Sequence, residues 1–214
     1  MTNPGINELQ NDEQFELVAE LDHKEIKEFV LDQLSSGGKL VKFYMVYQLL
    51  MVLIGLFVFV WATVQAFKNN AVPLIYVLAA LLFSFSFLIV IHELLHGIAL
   101  KQMGAPKVNY GAYLKKFIFY AEADQHVMNK KEFTIIALTP LVVVKIVTLL
   151  GLILFYKHPV VFLFMTIMCT HSLFCAGDIG LLALFYKNEK AELFTYDVKS
   201  EKKSYFFKRK ECRN

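Results

Sequence analysis

The chain has 214 residues, 57% of them hydrophobic, with a formal net charge of +3 and three cysteines. So apolar a composition excludes an ordinary soluble domain and points to an integral membrane protein in a lipid bilayer. The modest charge gives no reason to expect a nucleic-acid partner, and three cysteines do not make a disulfide framework.

Residues 1–12 are polar, and the first forty residues show no secretory signal. From residue 13 to 34, Phe15, Val18, Leu21, Ile26, Phe29, Val30 and Leu34 recur at roughly helical spacing among many charges. This predicts a short amphipathic N-terminal helix, or two, in the cytosol. Ser35-Ser36-Gly37-Gly38 then breaks the chain. A first span covers 41–67 and a second 71–100, joined by Lys68-Asn69-Asn70 and stopped by Gly104 and Pro106. The polar connection 101–132 contains two aromatic and β-branched runs, 108–113 and 117–121, around Lys115-Lys116. They read as a candidate β-hairpin. A third span covers 133–156, with Pro140 and Lys145 inside it, and a fourth covers 160–186 after the turn Lys157-His158-Pro159. A charged tail, 187–214, follows.

Each span exceeds the ~20 residues needed to cross a bilayer. The expected fold is an all-α integral membrane protein with four transmembrane helices. Its segments are a cytosolic stretch at 1–40, a membrane domain at 41–186 and a cytosolic tail at 187–214. Lysines crowd the 101–132 connection and the tail, whereas the two short turns carry only Lys68 and Lys157. The positive-inside rule therefore places both termini and the long connection in the cytosol.

The second span carries His92-Glu93-Leu94-Leu95-His96. On a helix, histidines at i and i+4 share a face one turn apart. Two neutral imidazoles so placed can hold a Zn²⁺ ion, with Glu93 set beside a water as general base. Glu93 is the only acidic residue between Gln33 and Ala121. An ionisable cluster in an apolar span reads as a functional site.

A catalytic zinc takes three protein ligands and keeps one open position. With the spans oriented as above, His92 and His96 lie ~6–12 Å below the cytosolic end of span two. Asp178, the only acidic residue between Phe133 and Asn188, lies ~12 Å below the end of span four. Thr139-Pro140 falls at that level too, where the proline would kink its helix or open its ladder. Asp178 is thus the favoured third ligand. Glu122 and His126 in the connection are alternatives, and Lys145 competes for Asp178 as an ion-pair partner. His171, Cys175 and Asp178 share a face at i, i+4 and i+7. In a straight helix His171 would sit too deep to bind the same ion and is expected in a buried hydrogen bond. Cys169 and Cys175 read as small buried hydrophobes, and Cys212 has no assigned role.

His92-Glu93-Leu94-Leu95-His96-Gly97 at the end of a span, a β-prone loop, a span with Thr139-Pro140 and a last span with Ala176-Gly177-Asp178-Ile179 resemble a bacterial membrane family of zincin peptidases. That family is itself similar to the site-2 proteases. The resemblance covers about residues 80–186. It implies His92, His96 and Asp178 as zinc ligands and Glu93 as general base. It also implies a membrane-bound metalloprotease acting on membrane or membrane-proximal protein segments near the cytosolic face. Ala-Gly-Asp stands here where site-2 proteases carry Leu-Asp-Gly. The alternative is a non-catalytic metal-binding scaffold. Di-iron desaturases need about eight histidines, and this chain has six.

Overall fold

The computed structural model describes residues 3–11, 13–113, 118–187 and 191–210. In chain order the elements are α1 (Ile6–Leu9), β1 (Phe15–Asp22), a 3₁₀ turn (His23–Glu25), α2 (Ile26–Ser36), α3 (Lys39–Phe67) and α4 (Val72–Phe83). A π-helical turn (Ser84–Leu88) leads into α5 (Ile89–Gln102). There follow β2 (Asn109–Tyr113), β3 (Ile118–Glu122), β4 (Met128–Asn129), α6 (Lys130–Leu154), α7 (Val161–Phe174), α8 (Ala176–Lys187), β5 (Leu193–Val198) and β6 (Lys203–Arg209).

The chain divides into two compact units, to both of which α5 and α6 contribute. One unit comprises Lys39–His92 and Thr139–Ala176. It holds α3, α4, α7 and most of α6, built from long runs of Leu, Val, Ile and Phe. A small cluster of Val58, Ala62 and Val77 packs α3 against α4. Much of the remaining apolar surface faces outward: only 17% of the most apolar window of α3 is buried. Water would penalise such a surface and lipid would not. Lys39–Phe67, Val72–Gln102 and Lys130–Leu154 are long and apolar enough to cross a membrane. Val161–Phe174 and Ala176–Lys187 make a fourth candidate if the pair, bent by 45°, is one span.

The other unit comprises Met1–Gly38, Glu93–Leu138 and Gly177–Asn214. Its centre is an antiparallel sheet in the order β1-β6-β5-β4. This corrects the all-α expectation. Residues 15–22, read as part of an amphipathic N-terminal helix, form β1, so only α2 remains of that helix. Part of the charged tail forms β5 and β6. Phe15, Leu17, Ala19 and Leu21 alternate with polar or outward residues, which also fits a strand. Pairing with β6, from Phe15 with Arg209 to Asp22 with Lys203, decides between the two periods. That partner lies almost two hundred residues away, beyond the reach of any local pattern. Leu21, Phe185, Leu193 and Phe206 form one core cluster, with Phe133 stacked on Phe185 at 4.6 Å between centroids.

The expected hairpin is present. β2 and β3 pair antiparallel from Asn109–Glu122 to Tyr113–Ile118. Its turn, with Lys115 and Lys116, lies outside the described residues, as does Cys212. Cys169 and Cys175 are buried free thiols, as the sequence suggested.

Candidate metal centre

The motif lies on α5, four residues after the π-helical turn at Ser84–Leu88. A π turn inserts one extra residue and so rotates everything downstream by about 100° around the helix axis. Two serines fit that turn locally. Ser86 Oγ donates to Leu82 O at 2.6 Å, and Ser84 Oγ shares a hydrogen bond of 2.8 Å with Thr170 Oγ1. After the turn, His92 and His96 stand one α-helical turn apart, and both are buried. Glu93 is half-buried on the same helix.

His96 has an acceptor at each ring nitrogen. Nδ1 lies 3.0 Å from the Ile136 carbonyl oxygen, and Nε2 lies 3.1 Å from Asp178 Oδ1. The first contact follows from the sequence of α6. An α-helical carbonyl normally accepts from the N–H four residues on. Four residues after Ile136 stands Pro140, which has no N–H, inside an otherwise regular helix. The orphaned Ile136 carbonyl receives His96 Nδ1–H instead. That orients the ring and turns Nε2 toward Asp178. From the sequence, Pro140 predicts a kink or an opened ladder. Its consequence for His96 needed the partner across the fold.

Asp178 lies in the first turn of α8, where the helix dipole favours a carboxylate. Zinc held at bond lengths of ~2.0–2.2 Å with a tetrahedral angle puts two donors roughly 3.4 Å apart. An imidazole nitrogen and a carboxylate oxygen at 3.1 Å are spaced close to that, and both are hard-to-borderline donors of the kind zinc accepts.

The other candidates go elsewhere. Lys145 Nζ contacts Met51 Sδ at 3.4 Å and lies 4.9 Å over the Tyr47 ring. Those contacts give it a polarizable and a cation–π partner. Glu122 Oε2 is 3.6 Å from His23 Nδ1. Burial raises the Glu122 pKa and lowers that of His23, which weakens this contact as an ion pair. The His126 backbone N–H bonds the Ala123 carbonyl at 3.2 Å. Among the described residues, neither Glu122 nor His126 belongs to a group of three metal-capable side chains. His171 makes the buried contact expected of it, with Nε2 3.1 Å from His92 Nδ1.

Immediately after the motif, an ideal Cβ built on Gly97 would stand 1.9 Å from Tyr110 Oη. The Tyr110 side chain thus takes the space that any side chain at 97 would occupy.

A family model described as "Putative zincin peptidase" matches residues 85–193, just over half of the chain. No curated protein and no solved structure matches the chain.

Proposed function

The chain belongs to the Putative zincin peptidase family, and on that premise we propose that it is a membrane-embedded zinc endopeptidase of the site-2 protease type. His92, His96 and Asp178 would hold the metal, and Glu93 would serve as general base. The observation that carries this reading is the setting of His96, with Nδ1 committed to the Ile136 carbonyl and Nε2 facing Asp178 Oδ1 at 3.1 Å. His92 precedes it by one turn of the same helix.

Zinc, when bound, supplies a Lewis acid that activates water and polarises a carbonyl at neutral pH. Glu93 adjoins His92 in the sequence, takes a proton from the attacking water and passes it to the leaving amine. The substrate is a membrane or membrane-proximal protein segment.

The sheet supports a topology. β1 precedes α3, β4 lies between α5 and α6, and β5 and β6 follow α8, yet all four pair in one sheet. These segments therefore share one side of the bilayer, and the chain crosses an even number of times between them. Two crossings by α3 and by α4 with α5, then two by α6 and by α7 with α8, satisfy that parity. The lysine-rich connection gives the shared side as the cytosol. The His-Glu-x-x-His motif, near the end of its span, then works close to the cytosolic face of a bacterial cell membrane.

Elemental analysis of detergent-purified protein tests the metal, and cleavage of a membrane-segment substrate tests the chemistry. One zinc per chain is expected, lost in His96→Ala and in Asp178→Ala. Glu93→Gln is expected to retain zinc and to lose turnover by at least the ~10²–10⁴-fold that general-base catalysis contributes. Undiminished turnover in Glu93→Gln would overturn the mechanism. Zinc retained by a wild type that cleaves nothing would favour the scaffold.

A further inference from the structure

We propose that His171 is a positioning residue for His92, holding its tautomer and ring plane through an imidazole–imidazole hydrogen bond; this rests on the zinc reading above. His92 Nδ1 and His171 Nε2 are 3.1 Å apart, with ring centroids at 5.2 Å and planes tilted by 53°. Both residues are buried.

Two proton arrangements satisfy the contact, and only one of them leaves His92 Nε2 free for a metal. A hydrogen bond between two imidazole nitrogens needs one proton, and neutral histidine carries only one. For His92 to offer Nε2 to a metal, its proton must sit on Nδ1 and point at His171 Nε2. His171 must then carry its own proton on Nδ1. That nitrogen faces Cys175 Sγ at 3.8 Å, a weak acceptor. The thiol in turn donates to the His171 carbonyl oxygen at 3.4 Å. Three groups are joined with no charge among them.

Neutrality suits the location. Metal-bound histidines usually donate their second N–H to a carboxylate or a backbone carbonyl. A carboxylate at 171 would put a charge into the apolar helix α7, where a charge is costly unless paired. His96 uses a backbone carbonyl that Pro140 has freed. His92 has a second imidazole.

His171 is itself held from both sides. One residue before it, Thr170 bonds Ser84 in the π turn that leads into the motif. One residue after it, the Ser172 carbonyl accepts from Tyr44 Oη at 2.6 Å. Phe85 meets Phe174 edge-on at 5.5 Å. The π turn and α7 are thereby keyed to each other on either side of the His92–His171 contact, which keeps the acceptor in place.

His92, His171 and Cys175 also offer ligand atoms within 4.8 Å of one another, so the rival is direct coordination of an ion by these three. Zinc affinity by chelator competition and the visible spectrum of the Co²⁺-substituted full-length protein separate the two. Under the proposal, His171→Leu binds zinc ~10–100-fold more weakly, the usual effect of losing such a partner, and shifts the Co²⁺ d–d bands. His171→Gln, whose Oε1 reaches the Nε2 position, restores most of the affinity. His171→Asn, one methylene shorter, does not, and this pair decides the matter even if His171→Leu fails to fold. Cys175→Ser leaves stoichiometry and spectrum unchanged, and the wild type shows no sulfur-to-cobalt charge-transfer band. Equal affinity for wild type, Gln and Asn variants overturns the positioning role while leaving the zinc peptidase reading intact. A charge-transfer band abolished by Cys175→Ser overturns it in favour of direct ligation. A wild type that binds no zinc overturns both this role and the proposed function.

Discussion

At position 140 a proline withdraws one N–H from α6, and the carbonyl left over, that of Ile136, orients His96 at 3.0 Å. The substitution Pro140→Ala therefore acts in two opposed directions. It removes a residue that costs a helix interior about 3 kcal/mol relative to alanine. It also restores an N–H that competes for the Ile136 carbonyl. The expected outcome is a helix at least as stable as before with zinc affinity lowered ~10-fold, read by thermal melting and chelator competition on the same preparation. Asp197 gives a pH prediction. Burial, above all, pushes its pKa up to about 6; a hydrogen bond from Ser204 opposes this, and Glu122 and Asp124 add to it. A carboxyl raised above its ordinary 3.8 keeps its proton longer in the folded state than in the unfolded. Stability from this group is therefore full below pH 4 and falls by about 3 kcal/mol as pH rises through 6. Glu122, also raised, acts with the same sign, and His23, lowered by burial, with the opposite one. Replacing Asp197 with Asn should flatten this slope in denaturation curves taken from pH 4 to 8. An unchanged slope would show that Asp197 is not the group responsible.

Between elements, contact distances make the sharper predictions. Because a Cβ at 97 would meet Tyr110 Oη at 1.9 Å and Cζ at 2.7 Å, Gly97→Ala must displace the Tyr110 side chain. The single variant should lose stability by roughly 1–3 kcal/mol, the usual range for overpacking, and the double variant with Tyr110→Ala should recover part of it. Additive losses in the double-mutant cycle would show that the two sites do not touch. Phe206 ties β6 to α8 through an edge contact with Phe185 at 5.9 Å, and is 2% exposed. Phe206→Ala should cost about 3–5 kcal/mol in chemical denaturation. Three long apolar helices and the hairpin are legible in the sequence because apolar length and aromatic alternation are local properties. β1 was misread because Phe15, Val18 and Leu21 fit a helical period as well as Phe15, Leu17, Ala19 and Leu21 fit a strand. In β5 and β6 the density of lysine and glutamate around the strands masked the run Tyr205-Phe206-Phe207.

For the molecule as a whole, pairing of β1 with β6 is the strongest constraint on how the chain meets a membrane. Single cysteines at Lys68 and Lys157, both exposed in the short turns, should react with an impermeant maleimide from one side. One at Ser200, exposed in the β5–β6 turn, should react only from the other. A background with the three native cysteines replaced keeps the readout clean. Labelling of all three positions from the same side would break the four-crossing topology while leaving the sheet intact.

The amino-acid sequence by itself determined three long apolar helices, the hairpin and the pattern His92-Glu93-Leu94-Leu95-His96, because length, alternation and an i, i+4 spacing act within one element. It also singled out Asp178, since a lone acid in an apolar run is conspicuous. Only the tertiary structure decided that the N-terminal segment is a strand, that Asp178 faces His96 while Lys145 turns to Tyr47 and Met51, and that the Ile136 carbonyl and the His171 ring meet the two histidines. The physical reason is the same in each case. A hydrogen bond or ladder between residues 40 to nearly 200 positions apart depends on which surfaces meet after packing, and no local period encodes that.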